Sequence, residues 1–218
     1  MTAEQAPTRT IGIIGGTGPQ GRGLATRWAV AGVPVTLGSR DAARAAEVAA
    51  EVGHGVRGAS NEVAAASEVV VVTVPWDAHE VTLRALAPAL RGRIVVDSVN
   101  PLGFDERGPF ALPVLEGSAA QQAEALLPES TVVAAFHHVS AVTLADLEVT
   151  DLDLDVLVLG DDRDAVDVVV GLAGLMPGVR GLYGGRLRNA HQVEALTANL
   201  IAINRRYKAH AGLRITDV

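Results

Sequence analysis

The sequence predicts a doubly wound α/β fold: a mostly parallel sheet with helices on both faces, followed by a small α/β extension ending in a long helix. Three observations carry this. Short runs of Val, Ile and Leu, such as Val69–Val74 with Thr73 as its one polar residue, are nearly continuous in apolar side chains, as suits strands buried on both faces. A stretch with helical patterning follows most of these runs. The first run ends in a glycine cluster that leads directly into a helical segment.

Taken in order, Ile11–Gly15 reads as a strand, and 20–31 as a helix closed by Gly32. Val33–Leu37 is the second strand, and Asp41 opens an Ala-rich helix over 41–52, where an acid suits the helix dipole. A short helix over 62–66, the strand 69–74, a helix over 79–90 and a strand over 94–96 follow. Asn100–Gly117 is rich in Gly and Pro and has no period, so it reads as a long loop that could cover a site. A helix over 119–127, strands over 131–136 and 156–159, and a helix over 164–175 complete the alternation. The long helix over 189–210 carries Val193, Leu196, Leu200, Ile203 and Tyr207 at helical spacing. That stripe suits either packing on the body or contact with a second copy. The boundaries are 10–150 for a dinucleotide-binding domain and 151–218 for the smaller part, with 1–9 a polar tail.

Composition narrows the classes. The chain has 218 residues, 49% hydrophobic and 20% charged, so it can bury a full core. It has no Cys, which excludes disulfides, thiolate metal sites and Cys nucleophiles. The net charge of −7 argues against a nucleic-acid partner. The charge is segregated: after position 185 there are six basic residues against Glu194 and Asp217, while nine acids lie between Asp146 and Asp167. Those acids lack the ligand order of a Ca²⁺ loop and read as a solvated strand edge and a helix start. His54 and His79 are isolated in sequence, so no metal site is expected. No apolar leader or membrane-length run is present, and the expected location is the cytoplasm.

Gly16-Thr17-Gly18-Pro19-Gln20-Gly21 fits the G-x-G-x-x-G pattern between a strand and a helix. Gly16 would permit the tight turn, Gly18 the approach of a pyrophosphate, and Gly21 close helix packing. The second strand ends in Gly38-Ser39-Arg40, without the carboxylate that would hold a ribose 2′-hydroxyl. Ser39 and Arg40, with Arg44 one turn later, suit a 2′-phosphate, so NADP is preferred over NAD.

With these residues, the chain resembles the NADPH-dependent coenzyme F420 reductases, also called F420-dependent NADP oxidoreductases, in their actinobacterial form. The resemblance rests on Ile13–Gly21, Gly38-Ser39-Arg40, Thr73-Val74-Pro75-Trp76, Val99-Asn100-Pro101, Ala135-Phe136-His137-His138, Gly160-Asp161-Asp162 and Arg188–Thr197. It implies a Rossmann-type homodimer that moves a hydride between NADPH and the 5-deazaflavin coenzyme. It also implies NADP contacts from Thr17, Gly18, Pro19, Gln20, Ser39, Arg40, Arg44, Val74, Asn100 and Ala141. The deazaflavin side would include His137, His191 and Thr197, with His137 delivering a proton or orienting the ring. His191 and Ala195 stand where archaeal relatives carry Arg and Ser; Thr197 is retained. Arg186 and Arg188 are expected beside the coenzyme's anionic tail. Two other readings stay open: an NADPH-dependent reductase of another small acceptor, and an NADPH-sensing regulator without turnover. A hydroxy-acid substrate would want a Lys near the site, and Lys208 is the only one.

Overall fold

The computed structural model describes residues 9–218; all but the last residue of the predicted tail over 1–9 lies outside them. The chain runs β1 (Ile11–Ile14), α1 (Pro19–Val30), β2 (Val35–Ser39), α2 (Ala42–Val52), β3 (Arg57–Ser60), α3 (Asn61–Ala65), β4 (Val69–Val72), α4 (Trp76–Leu90) and β5 (Ile94–Asp97). It continues with β6 (Leu102–Asp105), β7 (Gly108–Ala111), α5 (Ala119–Leu126), β8 (Thr131–Ala134), α6 (Ala141–Ala145), β9 (Leu154–Gly160), α7 (Arg163–Gly174) and β10 (Val179–Gly185). A single 3-10 turn over Leu187–Asn189 leads into α8 (Ala190–Tyr207).

Eight strands form one sheet in the order β10-β9-β8-β5-β4-β1-β2-β3. The six strands from β8 to β3 are parallel; β9 pairs antiparallel with β8, and β10 runs parallel to β9. This is the predicted doubly wound, mostly parallel sheet. The four valines of β4 show why it must be covered on both faces. Val69 and Val71 join the cluster under α1 and α7, while Val70 and Val72 join the cluster under α4 and α5. Trp28 of α1 anchors the first cluster. Its indole N–H donates to the Leu172 carbonyl at 2.9 Å, and its ring meets Phe136 edge-on with centroids 5.4 Å apart.

Several elements depart from the sequence expectation. The stretch 100–117 is not an irregular loop, because β6 and β7 form an antiparallel hairpin in register Leu102↔Ala111 to Asp105↔Gly108, and β7 packs against α8. Strands β3 and β10 occupy the two edges of the sheet, so neither needs an apolar run on both faces, and neither was legible. The short α6 is stabilised from outside. Buried Arg27 donates to the carbonyls of Leu144, Thr143 and Asp146 at 2.6–2.9 Å, satisfying the orphan acceptors at its C-terminal end. Helix α8 ends at Tyr207, three residues before the predicted end at 210, where the left-handed φ of 51° at Lys208 stops the ladder.

Asp155 corrects the reading of the acidic run as solvated. It is fully buried, takes both nitrogens of an Arg180 fork at 2.7 and 2.8 Å, and accepts the Ile215 N–H at 2.6 Å. Arg180 also donates to the carbonyls of Ile215 and Val218, so one carboxylate and one guanidinium strap the C-terminal segment to β9 and β10. The Arg180 hydrogen bonds hold the Asp155 carboxyl at about 2, against the opposing effect of burial. A depressed carboxyl stabilises the fold above its unfolded value of 3.8, and the contribution is lost as pH falls toward 2. Asp155→Ala is expected to cost about 3 kcal/mol at pH 7 and to lower the melting midpoint by roughly 6–12 °C. Thermal melts of both proteins at pH 7 and pH 2.5 check this, since the gap between them narrows at the lower pH.

Candidate active site

The carboxyl ends of β1, β2 and β4 open into a groove of ≈ 470 Å³. Thr17, Gly18, Pro19, Gln20, Ser39, Arg40 and Val74 all line it, together with Asn61 and Thr73. Its floor is tied down by main-chain contacts: Gly15 N–H donates to Asn61 Oδ1 at 3.2 Å, and Gly16 N–H to the Gly38 carbonyl at 2.9 Å.

The glycines divide their work differently from the expectation. The left-handed residue of the tight turn is Gly15, with φ of 71°, one position before the motif. Gly16 is needed for space instead, since a Cβ there would sit 2.7 Å from a Leu37 methyl. Gly21 has a Cβ position 2.6 Å from Gly16 Cα, the close helix packing that the motif predicts. Gly18 is the exception. Its Cβ would meet only the Gly15 carbonyl oxygen, at 3.7 Å, so no protein atom requires a glycine there. Gly18 is also the N-cap of α1, with no side-chain cap over the first-turn amides. A bare backbone at an uncapped helix start fits the pyrophosphate of a dinucleotide.

Ser39 ends β2, and its Oγ accepts the Asp41 N–H at 3.2 Å, which leaves the hydroxyl hydrogen available to a ligand. Asp41 does not place a free acid here: its carboxylate caps α2 by accepting the N–H groups of Ala43 and Arg44. Arg40 is exposed at the groove. Arg44 does not line the groove, and its guanidinium pairs with Glu47 at 3.0 Å. Ala141 opens α6 and faces an adjoining hollow with Thr17, Pro19 and Arg22.

Beyond the groove, three predicted residues converge on one main-chain turn. Asn100 Nδ2 and Thr197 Oγ1 each lie 3.0 Å from the His137 carbonyl, and Thr197 Oγ1 is 3.3 Å from Asn100 Oδ1. Gln20 Nε2 donates to the preceding carbonyl, that of Phe136, at 3.1 Å. Phe136 is fully buried with φ of 66°, a strained conformation for a side chain of this size. The three clamping side chains start from α1, the end of β5 and α8.

The imidazoles on this turn are not satisfied. His137 is 4% exposed, and neither ring nitrogen has a hydrogen-bond partner; His138 Nδ1 is likewise buried and unpartnered. Burial pushes both rings down to about 4, so both are neutral at pH 7. His191 lies apart, exposed on the first turn of α8, with Nδ1 3.3 Å from the Arg188 carbonyl oxygen. It lines a hollow with Pro101, Leu112, Gly117, Glu194 and Ala195. Arg186 pairs with Asp161 at 3.0 Å in a separate crevice between α7 and the ends of β9 and β10 that shares no residue with the groove or the His191 hollow.

Two buried groups escaped the sequence reading. His79 is fully buried between Asp97 at 2.7 Å and Gln122 at 2.9 Å. Glu194 is 3% exposed and accepts the Ala119 and Ala120 N–H groups, capping α5. Burial pushes its carboxyl up to about 7, partly offset by those two N–H bonds. An acid one turn before Thr197 and an acid ending a strand were the available signals, but the partners of each lie too far along the chain to be matched by spacing. Among the described residues no three His, Asp or Glu side chains are grouped to hold a metal ion.

Residues 10–101 match the family described as NADP oxidoreductase, coenzyme F420-dependent. The chain is 42% identical over 222 residues to the F420-dependent NADP reductase of Methanothermobacter thermautotrophicus, covering 95% of each chain. It is 38% identical to the F420-dependent NADP reductase of Methanothermobacter marburgensis, over 95% of this chain and 98% of the relative. A solved structure from Arthrobacter sp. FB24, provisionally described as an F420-dependent NADP reductase, superposes with a TM-score of 0.81 at 27% identity, over 96% of this chain and 99% of that one. The chain belongs to the F420-dependent NADP reductase family.

Proposed function

We propose that this chain moves a hydride between C4 of the nicotinamide of NADPH and C5 of the deazaflavin F420, in either direction. The observation that carries the reading is the groove with Gly18 bare at the start of α1 and Ser39 and Arg40 at the end of β2, opening beside the clamped 136–138 turn. The two coenzymes supply the redox chemistry, and the protein supplies binding and alignment. Thr17, Gly18, Pro19 and Gln20 hold the pyrophosphate, and Ser39 and Arg40 the 2′-phosphate. Arg44 adds to that phosphate only by leaving Glu47. Val74, Asn100 and Ala141 bound the nicotinamide side, and His137, His191 and Thr197 the deazaflavin side. Thr197 acts through the His137 carbonyl that it holds.

A neutral His137 suits ring orientation better than proton delivery at pH 7. His137→Ala is expected to lower turnover about tenfold, the worth of one hydrogen bond, and by the same factor from pH 6 to pH 8. A pH–rate profile of the two proteins checks it; unchanged turnover and affinity at every pH removes His137 from the site.

Residues 151–218 form the smaller part, contributing α8 to the deazaflavin side and to a contact between two copies. Exposed Phe104, Phe110, Ile203 and Tyr207 on the hairpin and α8 support a homodimer. No helix of the described residues is long and apolar enough to cross a membrane, in keeping with a cytoplasmic enzyme. Mixing the protein with NADPH and oxidised F420 tests the function: bleaching of the deazaflavin is expected. NADPH binding without bleaching leaves a different acceptor or a regulator.

A further inference from the structure

The buried pair of His79 and Asp97 lies outside the groove, yet it ends on the residue that clamps the 136–138 turn. His79 Nε2 is 2.7 Å from Asp97 Oδ2, and Nδ1 is 2.9 Å from Gln122 Oε1. The Gln122 amide nitrogen faces Glu116 Oε2 at 3.3 Å, so its oxygen faces the ring. Both ring nitrogens therefore meet acceptors, and a ring that donates to both is an imidazolium paired with the Asp97 carboxylate. Both side chains have no exposed surface. An ion pair with no exposed surface is costly to keep.

The other Asp97 oxygen, Oδ1, accepts the Val99 N–H at 3.0 Å, forming the turn that follows β5. The Asp97 carbonyl accepts the Ala135 N–H at 3.0 Å, and Ser98 Oγ donates to the Val72 carbonyl at 2.7 Å. Asn100 is the next residue out, and it grips the His137 carbonyl. A rigid route thus runs from α4 through Asp97 and the 98–100 turn to the main chain of His137. Its far end is shared by Thr197 of α8, three residues after the Glu194 that caps α5.

We infer that His79 is a positioning residue for hydride transfer: by fixing Asp97 it sets the 98–100 turn, hence Asn100 and the His137 main chain against which the two rings align. This rests on the function proposed above. Of the groups assigned to the NADPH phosphates only Gln20 touches the 136–138 turn, and Thr17, Gly18, Pro19, Ser39 and Arg40 stand apart from the route, so its loss separates alignment from binding.

The test compares wild type with His79→Gln, which cannot satisfy both acceptors, and with Asp97→Asn, which keeps an oxygen for Val99 and a hydrogen bond to a neutral ring. Turnover is counted per NADPH-binding site, so that unfolded protein is not scored. His79→Gln is expected to lose at least about tenfold in turnover while its Kd for NADPH stays within about twofold, since small misalignments cost rate and not phosphate contacts. The deuterium isotope effect with 4-deuterated NADPH is expected to rise in His79→Gln. Asp97→Asn is expected to stay within about threefold of wild type. Unchanged turnover per site and an unchanged isotope effect in His79→Gln overturn the inference, whatever the melting temperature does. Should His79→Gln not fold, Gln122→Met removes only the second acceptor. A smaller loss with the same isotope signature is then expected, and no loss overturns the inference. A wild-type protein that fails to bleach F420 overturns the functional reading itself. The Asn100 side-chain amide, followed by NMR with NADPH alone, then decides the structural route: faster exchange in His79→Gln supports it, and an unchanged signal overturns it.

Discussion

Arg40→Ala is expected to raise the Michaelis constant for NADPH about 10- to 100-fold and to leave that for NADH within about threefold. The magnitude follows from one charge-assisted bond to a phosphate, worth about 1.5–3 kcal/mol. The asymmetry follows from geometry. Arg40 lines the groove at the end of β2, where the ribose of a bound dinucleotide belongs, and only NADPH carries a phosphate there. Arg44 does not compensate, because its guanidinium is paired with Glu47. Ser39→Asp pushes further, placing a carboxylate where a 2′-hydroxyl is held and a 2′-phosphate repelled, so preference is expected to turn toward NADH. Steady-state kinetics with both coenzymes read both variants. An Arg40→Ala protein that weakens for both equally would place the 2′-phosphate elsewhere.

The largest expected loss of stability comes from one glycine in β1. A Cβ at Gly12 would sit 1.9 Å from the carbonyl oxygen of Ala64 and 2.7 Å from its carbon, both backbone atoms of α3. No rotamer relieves a clash with backbone, and α3 is packed against both β1 and β2. Gly12→Ala is expected to cost more than about 3 kcal/mol, a large share of the 5–15 kcal/mol that holds a typical domain together. The melting midpoint should fall by roughly 10 °C or more, if the protein stays soluble. Gly171→Ala is the control. That glycine lies inside α7 with nothing within 4 Å of its Cβ position, and alanine there should add about 1 kcal/mol.

The contrast marks what was legible in the sequence. Gly18 and its neighbours are legible because the turn that opens α1 is built from contiguous residues at fixed spacing. Gly12 was not, because its reason is a helix 52 residues later crossing the strand. The same division holds for strands. The four central runs announced themselves by being apolar on both faces, whereas edge strands β3 and β10 carry Arg57, Gly58 and Gly181 and show no such run. The antiparallel join of β8 and β9 has no local signature at all. At the site, Ser39 and Arg40 line the groove while Arg44 pairs with Glu47, and the surroundings of His79 are not legible because Asp97 and Gln122 are 18 and 43 residues away. Asp155 was misread for the same reason: alternation in sequence could not reveal the Arg180 fork across the strand pair.

The left-handed turn at Phe136 has a thermodynamic consequence for ligand association. Three side chains from separate elements already hold that segment in its unfavourable backbone geometry. Its freedom is surrendered when the chain folds, about 1–2 kcal/mol of backbone entropy per residue, and not when a coenzyme arrives. A coenzyme that meets this segment would therefore be spared the cost of ordering it, one of the costs that otherwise weaken binding.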